Sequence, residues 1–133
     1  MIAVRVIAKG AYRVVAMKKG ASCPAEDFLA TGSEDTAASR EGLLDLIDRV
    51  SEEGLAALPP ALCHLADQKR GIYEFRKGRL RLFFFKGLNG DVAVCTGGVL
   101  KKSQRADKLA VDRAASMKQI YMNNADNITY EDE

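Results

Sequence analysis

Hydrophobic and polar positions along this chain follow two rhythms, one near two residues and one near 3.6 residues. Residues 2–8 (IAVRVIA) and 11–17 (AYRVVAM) are rich in β-branched side chains and flank Lys9-Gly10, so they read as two short strands or one long bent strand. KKGASCPAED breaks that pattern. Within residues 24–32, PAEDFLATG predicts a short helix with Pro24 in its first turn. SEDTAASREGLLDLIDRVSEEG predicts the clearest helix of the first half. Ser33, Asp35 and Thr36 all suit its N-cap. Leu43, Leu44, Ile47 and Val50 recur at helical spacing, Asp45, Asp48, Arg49 and Glu52 fill the other side, and Gly54 stops it. LAALPPALCHLAD is interrupted by Pro59 and Pro60. It predicts a turn and one more helical turn packed through Leu58, Leu62 and Leu65, with His64 at its end in a structural role.

The second half opens with IYEFRKGRLRLFFFKGLNGD, which mixes five aromatic side chains with Arg76, Lys77, Arg79, Arg81 and Lys86. Lys77-Gly78 lies between two strand-like runs and Asn89-Gly90 between the next two, and Asn-Gly is the strongest short hairpin signal. The pattern predicts three antiparallel strands over about 71–76, 79–87 and 91–96, with Gly97-Gly98 ending the sheet. LKKSQRADKLAVDRAASMKQIYMNN predicts a second clear helix, with Ser103 as N-cap and an apolar stripe of Leu109, Ala110, Ala114, Met117, Ile120 and Tyr121. Residues 1–122 read as one domain and residues 123–133 as an acidic, mobile tail.

Length agrees with a single domain: 133 residues, 47% of them hydrophobic, suffice for one modest core. No apolar run approaches the roughly 20 residues that a membrane span needs. The first residues hold an Arg inside their apolar run and show no small-residue cleavage site, so the expected location is the cytoplasm. Cys23, Cys63 and Cys95 are odd in number, widely spaced and without a CxxC or CxxH pattern. They predict reduced, mostly buried thiols, with neither a zinc site nor a disulfide framework. No metal and no cofactor is expected.

Charge changes the picture more than composition does. The net charge of +2 hides a segregation: residues 1–23 hold five bases and no acid, residues 24–66 two bases and nine acids, residues 67–118 thirteen bases and five acids, and residues 119–133 four acids alone. Such asymmetry fits either a polyanion partner for the basic part or mutual neutralisation within the fold. A two-residue turn at Lys77-Gly78 pairs Arg76 with Arg79 and Glu74 with Arg81. One strand face then carries Glu74, Arg76, Arg79 and Arg81, and the other Tyr73, Phe75, Leu80 and Leu82. Opposed arginines destabilise a strand pair. A phosphate held by the guanidinium forks turns that penalty into attraction. The competing reading is a solvated face with a Glu74–Arg81 salt bridge. Lys101, Lys102 and Arg105 stand at the start of the last helix, where cations oppose the helix dipole, which again suits a nearby anion or plain solvation.

Three pieces in this order carry a resemblance: Tyr73-Glu74-Phe75-Arg76, Arg81-Leu82-Phe83-Phe84, and Lys101-Lys102-Ser103-Gln104 leading into an Ala-rich helix. Over roughly residues 40–121 the chain resembles the RelE/HigB-like toxins of bacterial toxin–antitoxin pairs, and the phage-associated branch of the RelE/ParE superfamily in particular. The resemblance implies a small α+β fold, an antiparallel sheet packed against two helices with a C-terminal helix. It implies metal-independent, ribosome-dependent cleavage of mRNA, so that mRNA and the ribosome are partners. It also implies a small antitoxin, of helix-turn-helix type, as partner. On it, Arg76, Arg81, Lys101 and Lys102 are the catalytic cations, Arg79, Lys86 and Arg105 bind RNA, and Glu74 is a candidate general base.

Stretch 1–32 is longer than the family's single first strand. It adds a hairpin at the sheet edge, or an element for homodimer or antitoxin contact. Two further classes share the basic face: a non-catalytic ParE-like toxin and a plain basic nucleic-acid-binding protein. Glu131, Asp132 and Glu133 either fold over that face and mask it or stay solvated.

Overall fold

The computed structural model describes residues 1–101 and 104–132, and for residues 104–106 the backbone alone. Its element order is β1 (Ile2–Lys9), β2 (Arg13–Met17), α1 (Pro24–Ala30), α2 (Ala37–Glu53), β3 (Cys63–Asp67), β4 (Ile72–Lys77), β5 (Leu80–Phe85), β6 (Asp91–Leu100), α3 (Gln104–Asn123) and β7 (Ile128–Asp132), with short 3-10 turns before and after α2. The class is α+β. The seven strands form one sheet in the order β3-β4-β5-β6-β2-β1-β7. The sheet is mixed where the sequence reading expects an antiparallel one: β2 runs parallel to β6, and β1 parallel to β7. Helices cover both faces. α1 and α2 pack over Val14, Phe75, Leu82, Phe84 and Cys95, while α3 packs over Val4, Val15, Ile72, Phe83, Phe85 and Val94.

This layering explains the three consecutive phenylalanines. β5 is central and buried on both faces, so neither side of it needs polar residues. Phe84 faces α2 and stacks between Phe75, at 4.1 Å, and Tyr73, at 5.4 Å. Phe83 and Phe85 face α3, and Tyr121 meets Phe85 edge-on at 5.3 Å.

Several expectations hold. The first 17 residues form a two-stranded hairpin, Pro24 opens α1, and α2 stops at Gly54, whose φ of +88° suits glycine. Asn89 and Gly90 both take positive φ, and the amide of Asp91 donates to the carbonyl of Leu88 across them, which is a type I′ turn. Ser103, the expected cap of α3, lies outside the described residues.

Other expectations are corrected. Residues 63–67 form β3, an edge strand paired with β4, and not a helical turn. The five residues CHLAD carry too little periodicity to choose, and the neighbouring β4 decides. The sheet does not end at Gly97-Gly98, because β6 continues to Leu100 opposite Leu80. Gly98 is where the ring of Phe28 crosses the strand, and an added Cβ would clash with that ring. The tail supplies β7. Ile128 and Tyr130 alternate with Thr129 and Glu131 in parallel register with β1, and Glu131 reaches Lys18 at 2.9 Å and Arg5 at 3.5 Å. β7 is therefore at the sheet edge opposite β3 and β4, and Glu131 does not mask the arginine face.

Among the described residues no helix is long and apolar enough to cross a membrane. The three cysteines are free, and burial pushes the Cys63 thiol up to about 11 and raises Cys23 and Cys95 as well.

Candidate active site

Gly78 sets the geometry of the basic hairpin. It takes φ +56° as the first residue of the turn, so the two-residue loop is Gly78-Arg79 and Lys77 pairs with Leu80. The expected pairing of Arg76 with Arg79 and of Glu74 with Arg81 is thus corrected: Arg76 pairs with Arg81, and Glu74 with Phe83. The shift moves pairing by two positions, which preserves faces where a one-residue slip exchanges them. Glu74, Arg76 and Arg81 stay together on the face that bears α3, and Arg79 leaves the strand for the exposed turn.

β3 brings His64 to the same face, directly opposite Glu74. The imidazole Nε2 lies 3.1 Å from Oε1 of Glu74, and Nη1 of Arg76 lies 3.4 Å from Nδ1. Nε of Arg76 stands 3.7 Å from the same carboxylate oxygen. These contacts fix the tautomer. Nε2–H donates to Glu74, and Nδ1, which then carries the lone pair, accepts from Arg76. Glu74 is 7% exposed and forms the back of the cluster, while His64 stands half-buried in front of it.

Arg81 is 8% exposed. Its Nη1 donates to the carbonyls of Gly78 and Leu80, at 2.8 and 2.9 Å, and its Nε has no partner. Among the described residues no carboxylate pairs with it. A buried guanidinium without a counter-charge is costly, and an anion supplied from outside removes that cost. A cleft of about 430 Å³ opens beside it, lined by Ala61, Leu62, Arg76, Lys77, Gly78 and Arg81.

The remaining candidates divide. Lys101 follows β6, its amide donates to the carbonyl of Arg79, and its ammonium pairs with Asp107 at 2.6 Å, so it borders the hairpin turn with its charge engaged. Lys86 follows the far end of β5 and sits over the ring of Tyr73, on the α2 side, so it does not join the cluster. Lys102 and the side chain of Arg105 lie outside the described residues. Tyr121 is core, as expected. Among the described residues no three His, Cys, Asp or Glu side chains gather as a metal site.

His64 is the member that sequence reasoning missed. The signal available was slight: Cys63 and Leu65 alternate with His64 in CHLAD, a strand pattern too short to outweigh a helical reading. A scan against protein-family models finds no match for this chain, and a search of the curated proteins finds none either.

Proposed function

We propose that the cluster cleaves RNA by attack of a ribose 2′-hydroxyl on the adjacent phosphodiester, and that the chain is an endoribonuclease toxin of the RelE/HigB-like kind, acting on mRNA. The observation that carries this reading is the junction of an oriented imidazole with two facing guanidiniums, one buried and without a carboxylate partner among the described residues. Those groups supply the base and the charge stabilisation, and the 5′-oxygen, whose bond to phosphorus breaks as the 2′-oxygen bond forms, takes its proton from solvent. Arg76 and Arg81 bind the non-bridging oxygens and stabilise the charge that grows on them in the transition state. Nδ1 of His64 takes the proton of the 2′-hydroxyl, once the phosphate draws Arg76 away from it. Glu74 holds the Nε2–H and stabilises the imidazolium that forms, so it acts as a positioning residue behind the base.

Glu74 is the base in the alternative assignment. Its burial behind His64 favours the former order.

The test is in two parts. Expression of the chain arrests growth and leaves cuts in translated mRNA, mapped by primer extension. Purified His64→Gln and Arg81→Lys variants, with unchanged circular dichroism, lose about 10²–10⁴-fold in cleavage rate. Full cleavage by both variants overturns the assignment. Growth arrest without RNA cuts overturns the nuclease reading in favour of a non-catalytic toxin.

A further inference from the structure

Gly97 has no packing reason to be glycine. Unlike Gly98, it has ordinary space around it: an added Cβ would meet nothing nearer than Pro24, at 3.8 Å. It pairs with Phe83, so the bare position faces the α3 side, the side of Arg81. Thr96 bulges just before it and donates its hydroxyl to the carbonyl of Phe83, at 3.2 Å. β2 pairs with β6 only as far as Cys95, so Thr96–Leu100 have β5 on one side and no strand of the described residues on the other. A cleft of about 210 Å³ occupies this gap, walled by Gly97, Gly98, Thr96 and Pro24 on one side and by Ala110, Arg113 and Met117 of α3 on the other, with Lys19 at the rim.

Lys19 and Arg113 are exposed, and among the described residues neither side chain has an ion pair or hydrogen bond. Two unpaired cations therefore flank a floor of uncovered backbone. The volume falls below the roughly 300–1,000 Å³ of pockets that enclose whole small molecules, so the cleft suits one unit of a longer chain. Gly97 is one strand across and two residues along from Arg81, on the order of 8 Å between backbones. Ala110, Arg113 and Met117 form one side of α3, while Ala115, Lys118 and Met122 form the side toward Arg70 in the β3–β4 turn. His64, Glu74, Phe83 and Gly97 lie on one cross-strand row of the face that bears α3, so the His64 cluster and the cleft stand at opposite ends of that row, with the buried Phe83 between them.

We infer that this cleft is a second subsite for single-stranded RNA, which holds a nucleotide flanking the one cut at the His64 cluster, with Lys19 and Arg113 on its phosphates and the Gly97 backbone beneath it. The inference rests on the nuclease reading for its direction along the strand, but its test needs no cleavage.

The probe is a single-stranded 2′-O-methyl oligouridine, which cannot be cut, titrated by fluorescence anisotropy across a range of salt. The Lys19→Ala/Arg113→Ala double variant should bind at least tenfold more weakly at low salt. Its slope of log affinity against log salt should be shallower by about 1.4, the loss of two phosphate contacts on a single strand. Gly97→Val fills the floor without changing charge and should weaken binding as well. Lys9→Ala/Lys69→Ala removes the same charge at the other end of the sheet and should shift the slope far less. No binding by the wild-type chain, an unchanged slope in the first variant, or an equal loss in the control overturns the inference. Cleavage by the wild-type chain on ordinary RNA is scored separately, so an inert but binding protein would sink the nuclease reading and leave the subsite standing.

Discussion

Arg76 and Arg81 face one another as a directly registered pair across β4 and β5, and among the described residues Glu74 pairs with Arg76 while no carboxylate pairs with Arg81. Like charges in such positions destabilise a strand pair by some tenths of a kcal/mol, and here one of the two is buried. An anion that binds only the folded chain stabilises it in proportion to the logarithm of its concentration, by about 2.7 kcal/mol at one hundred times its Kd. Inorganic phosphate should therefore raise the Tm of the wild-type chain, and raise it much less in Arg81→Ala. Differential scanning fluorimetry against sodium chloride of matched ionic strength reads the difference; equal rises in both proteins would mean a general salt effect.

The core prediction concerns Phe84. It is fully buried and stacks against two rings on its own face of the sheet. Truncation removes both stacking contacts and leaves a cavity under α2. Phe84→Ala should cost about 3–5 kcal/mol in urea unfolding, a large part of the stability of a domain of this size. A loss below about 1 kcal/mol would show that the face repacks freely.

How much of this was legible in the sequence depended on segment length. α2 and α3 are long enough for their apolar periodicity to be decisive, and Asn89-Gly90 names its own turn. The basic hairpin was right in its strands and faces and wrong in its pairing, because the conformational need of Gly78 for the first turn position outweighs a symmetric reading of Lys77-Gly78. β3 and β7 are five residues each, and both are edge strands: β3 is fixed by its pairing with the following β4, and β7 joins β1 across more than a hundred residues. Local pattern carries little information about such pairings. His64 was missed for the same reason, since its role depends on Glu74 opposite it and not on its sequence neighbours. The parallel β2–β6 pair is likewise set by tertiary contacts alone.

The anchoring of β7 predicts an acid dependence. Hydrogen bonding from Lys18 is the main cause that holds the Glu131 carboxyl below its ordinary value of 4.5, with Arg5 adding to it. A folded-state value below the unfolded one contributes stability that is present above about pH 4.5 and is lost as pH falls through the folded value. Asp67, held low by Arg70, acts in the same window, so the variant isolates the Glu131 part. Glu131→Gln should lower the Tm at pH 7, and the gap from wild type should close below pH 4. A gap that persists at low pH would mean that the carboxylate charge is not what holds the strand.

Asp91 ties four elements together at the end of the sheet remote from the arginines. Its carboxylate takes the guanidinium of Arg13 at 2.5 Å and the hydroxyls of Tyr121 and Tyr130 at 2.8 and 2.6 Å, so β2, β6, α3 and β7 meet on one fully buried side chain. Arg13 in turn lies over the ring of Tyr130, 4.2 Å from its centre. Removing the carboxylate takes the ion-pair partner from Arg13 and the acceptor from the Tyr130 hydroxyl, while Tyr121 keeps its bonds to Leu88, so Asp91→Ala should cost about 3–5 kcal/mol. Tyr130→Phe removes one hydrogen bond and leaves the ring over Arg13, so it should cost about 0.5–1.5 kcal/mol. Because the three groups share one acceptor, the two substitutions should be non-additive, and once Asp91 is gone Tyr130→Phe should cost little more. Urea unfolding of the two single variants and the double variant measures this coupling; strictly additive losses would show that Asp91 holds Arg13 alone and that Tyr130 contributes through its ring.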